Sequence, residues 1–454
     1  MLKLRQLLWN MISLTGAVLV TVSALLFLVM FLADLFGLHT NPYIGILFFL
    51  VIPGVFIFGL VLIPIGAWLA RRRVRRGVST THWPRLDLAD PIQRRATFIF
   101  LAMTFANVLI VSLAAYRGVE YMDSVQFCGQ VCHTVMKPEF MAYQDSAHSR
   151  VACVQCHIGP GATWFAKSKL SGTRQIFAVA FKTYSRPIPS PVQELRPARD
   201  TCEQCHWPEK FHGDKIRRIV EYSEDEKNSK SVTTLQVHVG GGSVRLGVAQ
   251  GIHWHMNVAN EVEYIATDDK RQVIPWVRVK DRFGKVREYT AADTKPEDLA
   301  KGERRRMDCM DCHNRPSHAI AATPERAVNE LMARGDIPKT LPFIRREAVK
   351  VLKTTYPTQE AAEREISRTL RDFYRSQAPS TYMTSRQEVE RAVLATTAIY
   401  RRNVFPDMNV QFGTYPNNIG HMDFPGCFRC HDDNHKTTDG KTIGQDCETC
   451  HTIE

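Results

Sequence analysis

The chain has 454 residues, 44% of them hydrophobic and 23% charged, with a formal net charge of +12. That length allows two or three domains. The basic surplus is not interleaved with aromatics as in single-strand binders, which excludes a nucleic-acid partner, and the twelve cysteines are spaced in a way that a disulfide framework does not explain.

Apolar residues crowd the first 115 positions. Three runs, Leu8 to Phe36, Tyr43 to Ala70 and Ala96 to Ala115, are each long enough to cross the roughly 30 Å hydrocarbon core as a helix. The first is too long for a secretory signal and lacks a small-residue cleavage site, so it reads as an uncleaved anchor. Lys3 and Arg5 precede it, the first connection has no Lys or Arg, and Arg71, Arg72, Arg73, Arg75 and Arg76 follow the second run, with Arg94 and Arg95 before the third. The positive-inside rule places the N-terminus and the arginine cluster in the cytoplasm and everything after about Tyr116 outside. Asp34, near the end of the first run, reads as interfacial.

In the exported part all cysteines fall into six Cys-(two or three residues)-Cys-His units: Cys128/Cys132/His133, Cys153/Cys156/His157, Cys202/Cys205/His206, Cys309/Cys312/His313, Cys427/Cys430/His431 and Cys447/Cys450/His451. This is the attachment signature of c-type haem: two thiols add to the porphyrin vinyl groups, and the adjacent His is carried under the ring as proximal ligand. Zinc knuckles also use paired cysteines, but zinc needs no His directly after the second Cys, and here it follows every time. Six haems bring roughly twelve propionate charges, for which the basic surplus is counter-charge. Bacteria attach haem c outside the cytoplasmic membrane, in agreement with the charge asymmetry.

Residues 117–215 hold the first three units and little regular structure, with a proline-rich wrap from Arg186 to Pro197. Leu235, Val237 and Val239 alternate, as do Val244, Leu246 and Val248, separated by Gly240, Gly241 and Gly242; Val262 to Thr267 and Gln272 to Val279 flank Asp268-Asp269-Lys270. These predict an antiparallel β insertion. Thr323-Pro324 predicts a capped helix start, and Ala362, Ile366, Leu370 and Phe373 show helical spacing. The expected fold class is a membrane-anchored multihaem cytochrome c with three transmembrane helices and a haem-packed, mostly α and irregular periplasmic domain. The expected domains are an anchor at 1–116, a haem domain with units one to three at 117–231, a β insertion at 232–300, the fourth haem segment at 301–322, a helical insertion at 323–405 and a di-haem segment at 406–454.

Iron closed on both faces by imidazole suits electron transfer rather than bond-making chemistry. His39 and His82 lie beside the membrane runs. Eight other histidines are outside the units: His148, His212, His238, His253, His255, His318, His421 and His435. His212, His318 and His435 each follow a unit closely. His238 alternates out of phase with its apolar neighbours and reads as solvent-facing, and one of His253 and His255, two apart, is expected to be a ligand. Met136, three residues after His133, offers a thioether to the first iron.

The segments FCGQVCHTVMKPEF, SAHSRVACVQCHIGPGATWFAKSKLSG and CEQCH, directly after a membrane run, resemble the NapC/NirT family of membrane-anchored multihaem quinol dehydrogenases over residues 96–215. The longer architecture is similar to ImcH-type inner-membrane cytochromes of metal-reducing bacteria. The resemblance implies menaquinol as substrate, oxidised beside the first haem, with electrons passed to periplasmic c-type cytochromes or a terminal reductase in anaerobic respiration. The family's pocket lysine matches Lys169, with Lys167 as neighbour. The acidic residue of some members has no counterpart, since Ile176 stands at that spacing, and Asp145 and Glu139 are the nearest substitutes. The departures are three membrane runs for the usual one and a first unit longer by one residue. Two other functions fit less well: a passive electron-transfer subunit docked on a quinone-reactive membrane partner, and a terminal oxyanion reductase, which six complete units disfavour. A homo-oligomer and a larger membrane complex are both compatible with these features.

Overall fold

The structure, a computed structural model, describes residues 11–35, 51–75, 87–131, 133–159, 162–192, 195–241, 251–256, 260–281 and 283–453. It divides into two compact units, residues 1–131 and 132–454.

In the first unit, helices span Met11–Leu35, Ile52–Arg75 and Pro91–Met122. The last starts on a fixed cap: the Ile92 amide donates to Asp90 Oδ1 at 2.9 Å, and Pro91 fills the first turn, where no amide is needed. The second and third helices are long and apolar enough to cross a membrane; the first contains a shorter apolar stretch, Ile12–Leu28. Much of the arginine cluster is in the second helix, whereas Arg76 and the connections at 36–50 and 76–86 lie outside the described residues.

The first two helices cross at glycine. A Cβ on Gly16 would lie 2.7 Å from the Gly59 carbonyl oxygen, and one on Gly59 would lie 2.9 Å from that of Gly16. Ser13 Oγ also donates to the Ile63 carbonyl at 3.1 Å. Close approach through small residues plus an interhelical hydrogen bond is how helices associate where no hydrophobic effect drives them together. Gly59→Leu should therefore separate the pair. We expect a loss of about 1–2 kcal/mol, seen as roughly tenfold faster hydrogen exchange across 11–35 in the detergent-solubilised protein, with residues 324–403 unaffected.

The second unit has two antiparallel sheets. One has the order β1-β2-β8, with β1 Asp214–Tyr222, β2 Lys230–His238 and β8 His451–Ile453; the other has the order β6-β3-β4-β5-β7, with β3 Glu261–Ala266, β4 Trp276–Lys280, β5 Val286–Ala291, β6 Glu303–Arg306 and β7 His435–Lys436. The strand expected at Val244 to Val248 lies outside the described residues. In β3 the alternation is clean: Val262, Tyr264 and Ala266 face the core, and their neighbours do not. Strand β1 was not expected, because its charged residues hide the pattern; it is an edge strand, where such residues discourage further pairing. Both sheets recruit a strand from the C-terminal 20 residues, with Val237 opposite His451 and Ala291 opposite His435.

Helices at Pro324–Arg334, Ile344–Leu352, Gln359–Gln377 and Arg386–Asn403 enclose the largest core. The Arg326 amide donates to Thr323 Oγ1 at 3.3 Å and the Ala361 amide to Thr358 Oγ1 at 3.1 Å, each an N-cap. Ala362, Ile366 and Leu370 are buried, but the next inward position is Tyr374, with Phe373 only partly covered.

Candidate haem-binding site

Each Cys-x-x-Cys-His unit folds as one helical turn. The amides of His206, His313 and His431 donate to the carbonyls of the first cysteine of their own unit, Cys202, Cys309 and Cys427, at 2.8, 2.8 and 3.0 Å. This closure brings the second cysteine and the histidine back beside the first. Asp308 caps the fourth turn, accepting from the Met310 amide at 2.8 Å, and Asp446 caps the sixth, accepting from the Glu448 amide at 3.1 Å. In the first unit, Phe127–Val131 is a wider turn of the i→i+5 kind, which absorbs the extra residue of CGQVCH. Cys132 and the side chains of His133 and Lys169 lie outside the described residues.

The motif histidines are brought against histidines from elsewhere in the chain. Ring centres are 6.1 Å apart for His157 and His318, 6.0 Å for His206 and His148, 6.3 Å for His313 and His253, 5.9 Å for His431 and His255, and 6.1 Å for His451 and His421. A metal–imidazole bond is about 2 Å and the ring centre lies about 1.1 Å behind the nitrogen, so a shared metal sets two centres about 6.3 Å apart. The five observed separations fit that geometry.

The rings are also held in the required tautomer. Nδ1 of His253 donates to the Val239 carbonyl at 2.9 Å, that of His255 to Ile252 at 3.0 Å, that of His318 to Glu139 at 3.0 Å and that of His431 to Gly444 at 3.0 Å. A carbonyl can only accept, so Nδ1 carries the proton and the Nε2 lone pair remains for a metal. Burial lowers the pKa of His157, His255 and His313, which keeps them neutral.

A cavity of 3070 Å³ runs through this region, lined by both cysteines and the histidine of units three to six and by Cys156 of unit two. One ligand pocket is about 300–1,000 Å³, so the space accommodates several large flat groups side by side. Burial pushes the thiols of Cys312 and Cys430 up to about 12. An environment that keeps sulfur uncharged suits a thioether better than a metal-bound thiolate. Among the described residues no three His, Cys, Asp or Glu side chains converge as a zinc site requires, and the described cysteines form no disulfide. The residues present therefore fit haem.

Two expected ligands, His435 and His212, are placed differently. His435 is buried with both nitrogens engaged, Nδ1 with Asp432 Oδ1 at 2.9 Å and Nε2 with the Ile274 carbonyl at 2.7 Å. It pins the fifth unit to the second sheet and has no nitrogen left for iron. His212 donates from Nδ1 to the Lys210 carbonyl at 2.7 Å and meets no described motif histidine. His238 pairs with Asp214 at 3.0 Å. Both His253 and His255 face motif histidines, where only one was expected to, because a single turn, Ile252–Met256, presents them in opposite directions. Of the pocket residues, Lys167 lies over the Trp164 ring at 4.7 Å, and Asp145 borders the cavity and pairs with Arg402 at 3.3 Å. Met136 is half-buried on the helix His133–Gln144.

Glu139 has a role that sequence reasoning did not find. It accepts from Arg315 Nη2 at 2.8 Å, both side chains being nearly buried, and lies 3.4 Å from His318 Nδ1. No local pattern announces a pair 176 residues apart.

Paired imidazoles, attachment turns and apolar helices together define a membrane-associated cytochrome c that binds haem and transports electrons. Residues 91–188 match the NapC/NirT cytochrome c family, N-terminal region. The chain is 44% identical to the cytochrome c-type protein ImcH of Geobacter sulfurreducens over 449 residues, 98% of this chain and 88% of that protein. It belongs to the NapC/NirT cytochrome c family, in its longer, ImcH-like form. No solved structure matches it.

Proposed function

We propose that this protein is a hexahaem menaquinol dehydrogenase of the bacterial inner membrane, anchored by three helices, that passes electrons through a periplasmic haem domain to cytochromes or a terminal reductase in anaerobic respiration. The observation that carries the electron-transfer reading is the five imidazole pairs at 5.9–6.3 Å, each joining one motif histidine to one histidine from another part of the chain. Covalently held haem supplies one-electron exchange, and iron with imidazole on both faces leaves no open position for a substrate. His318, His148, His253, His255 and His421 are the distal ligands on this reading, for units two to six respectively.

Neighbouring attachment turns support a wire that follows sequence order. The turn at Cys153–His157 packs on Ala198–Cys202, which packs on Cys309–Cys312. His421 lies six residues before Cys427 of the fifth unit and faces His451 of the sixth. Electrons would enter at the first unit, which by chain distance is nearest the membrane helices, and leave near the C-terminus.

Quinol gives up two electrons and two protons, and the protons need a polar acceptor near the first unit. We assign this to Lys169, which matches the family's pocket lysine, with Lys167 as its neighbour in sequence and Asp145 as a substitute for the family's acidic residue. Lys169→Met should slow reduction by a menaquinol analogue at least about tenfold and leave dithionite reduction of every haem intact, as read by stopped-flow absorbance. Normal quinol oxidation by this variant would place the pocket elsewhere and favour a passive subunit fed by a membrane partner.

A further inference from the structure

The fifth unit, Cys-Phe-Arg-Cys-His, carries an arginine between its cysteines. Arg429 spends all three guanidinium nitrogens on backbone carbonyls. Nε donates to Gly426 at 2.8 Å within its own unit, Nη1 to Arg271 at 2.8 Å before β4, and Nη2 to Asp311 at 2.6 Å, inside the fourth unit. Among the described residues it forms no ion pair with a carboxylate. Between two attachment sites, this cation is held by carbonyls rather than by a paired carboxylate.

The surroundings hold it in place. Asn418 Nδ2 donates to the same Asp311 carbonyl at 2.9 Å. The Asp311 carboxylate accepts from Tyr264 Oη at 2.5 Å and from the Asp308 amide at 2.7 Å. Gly426, with φ of 52°, sits so close to Gly420 that a Cβ would lie 1.6 Å from its carbonyl oxygen, so the approach of the fifth unit is set by backbone contact. The same two units face His253 and His255, which come from one five-residue turn.

We propose that Arg429 is a positioning residue that clamps the fourth attachment unit to the fifth and raises the reduction potentials of the two haems held there. The fork spans three separate backbone segments, which a lysine cannot do. Its three carbonyl contacts place the guanidinium between the Cys309–His313 and Cys427–His431 turns. Reduction of a ferric centre removes one positive charge, so a fixed cation nearby favours the reduced form. The clamp would then hold the fourth and fifth haems in one fixed, coupled arrangement. This rests on the hexahaem reading above, and the test separates the two.

The test is a redox titration of the full-length protein, with electron paramagnetic resonance of the ferric state, for wild type, Arg429→Met and Arg429→Lys. The denatured mass of the wild type is measured first, and a value short of six haems would overturn the reading on which the proposal stands. Arg429→Met should lower two of the six potentials, giving about tenfold more oxidised haem at a fixed poise, equivalent to about 59 mV for a one-electron centre, while four stay unchanged. Arg429→Lys should keep those two potentials near wild type, because the charge remains, yet lose the spin coupling between the two centres, because the fork is gone. Six attached haems with all potentials and the coupling unchanged in Arg429→Met, or a uniform shift of all six, would overturn the proposal. If Arg429→Met assembles with fewer haems, Arg429→Lys alone decides, and unchanged coupling there counts against the clamp.

Discussion

His253→Ala and His255→Ala should each open one haem to five coordination and leave the other four histidine pairs closed. The two residues are separated only by Trp254, and their rings face different motif histidines, His313 at 6.3 Å and His431 at 5.9 Å. Each has its own tether, Nδ1 to Val239 for the first and to Ile252 for the second, so losing one ring does not release the other. The expected result is one more high-spin haem than in the wild type in each single variant, seen by absorbance and electron paramagnetic resonance, and two more in the double variant. Loss of one ligand also shifts that haem's potential and breaks the wire at that point. Reduction by quinol should then stall before the fourth haem in the first variant and before the fifth in the second. A variant whose spin state matches the wild type would mean that its histidine only packs.

Glu139→Leu should cost about 3–5 kcal/mol of stability, because it leaves a nearly buried guanidinium without its carboxylate. Arg315 and Glu139 are only 9% and 12% exposed. Arg315 is otherwise committed: Nε donates to the His318 carbonyl at 2.7 Å and the guanidinium lies 3.8 Å from the Tyr415 ring centre. It cannot swing into water without leaving these contacts. The double variant Glu139→Leu/Arg315→Met should recover most of the loss, since replacing both members of a buried pair by apolar groups is often near neutral. His318 hangs from the Glu139 main-chain carbonyl, so its pairing with His157 should survive both changes. Denaturant unfolding followed by absorbance checks the first point, and an unchanged low-spin spectrum the second.

The attachment turns were legible in the sequence because their chemistry is local: five residues hold both thiols and one ligand. The second iron ligand is not local. Proximity after a motif suggested His212, His318 and His435, yet His318 faces the second unit rather than the fourth it follows, and His435 spends both nitrogens on Asp432 and Ile274. The chain brings histidines of different units face to face, and that pairing depends on tertiary packing. Helical spacing at Ala362, Ile366 and Leu370 matched a buried stripe, while the inward position after them is Tyr374, whose hydroxyl donates to the Pro342 carbonyl at 3.0 Å. Strands β7 and β8 are two and three residues long and exist only through partners in β5 and β2. No periodicity over so short a run could announce them. Arg429 was equally silent, since the two positions between the cysteines accept many residues and its partners lie 118 and 158 residues away.

Reduction of the purified protein, free of partners, by a menaquinol analogue is the most direct test. The account predicts that all six haems reduce in succession without any added subunit, through a single entry point that Lys169→Met slows. Protein that stays oxidised under quinol, yet reduces fully with dithionite, would contradict it.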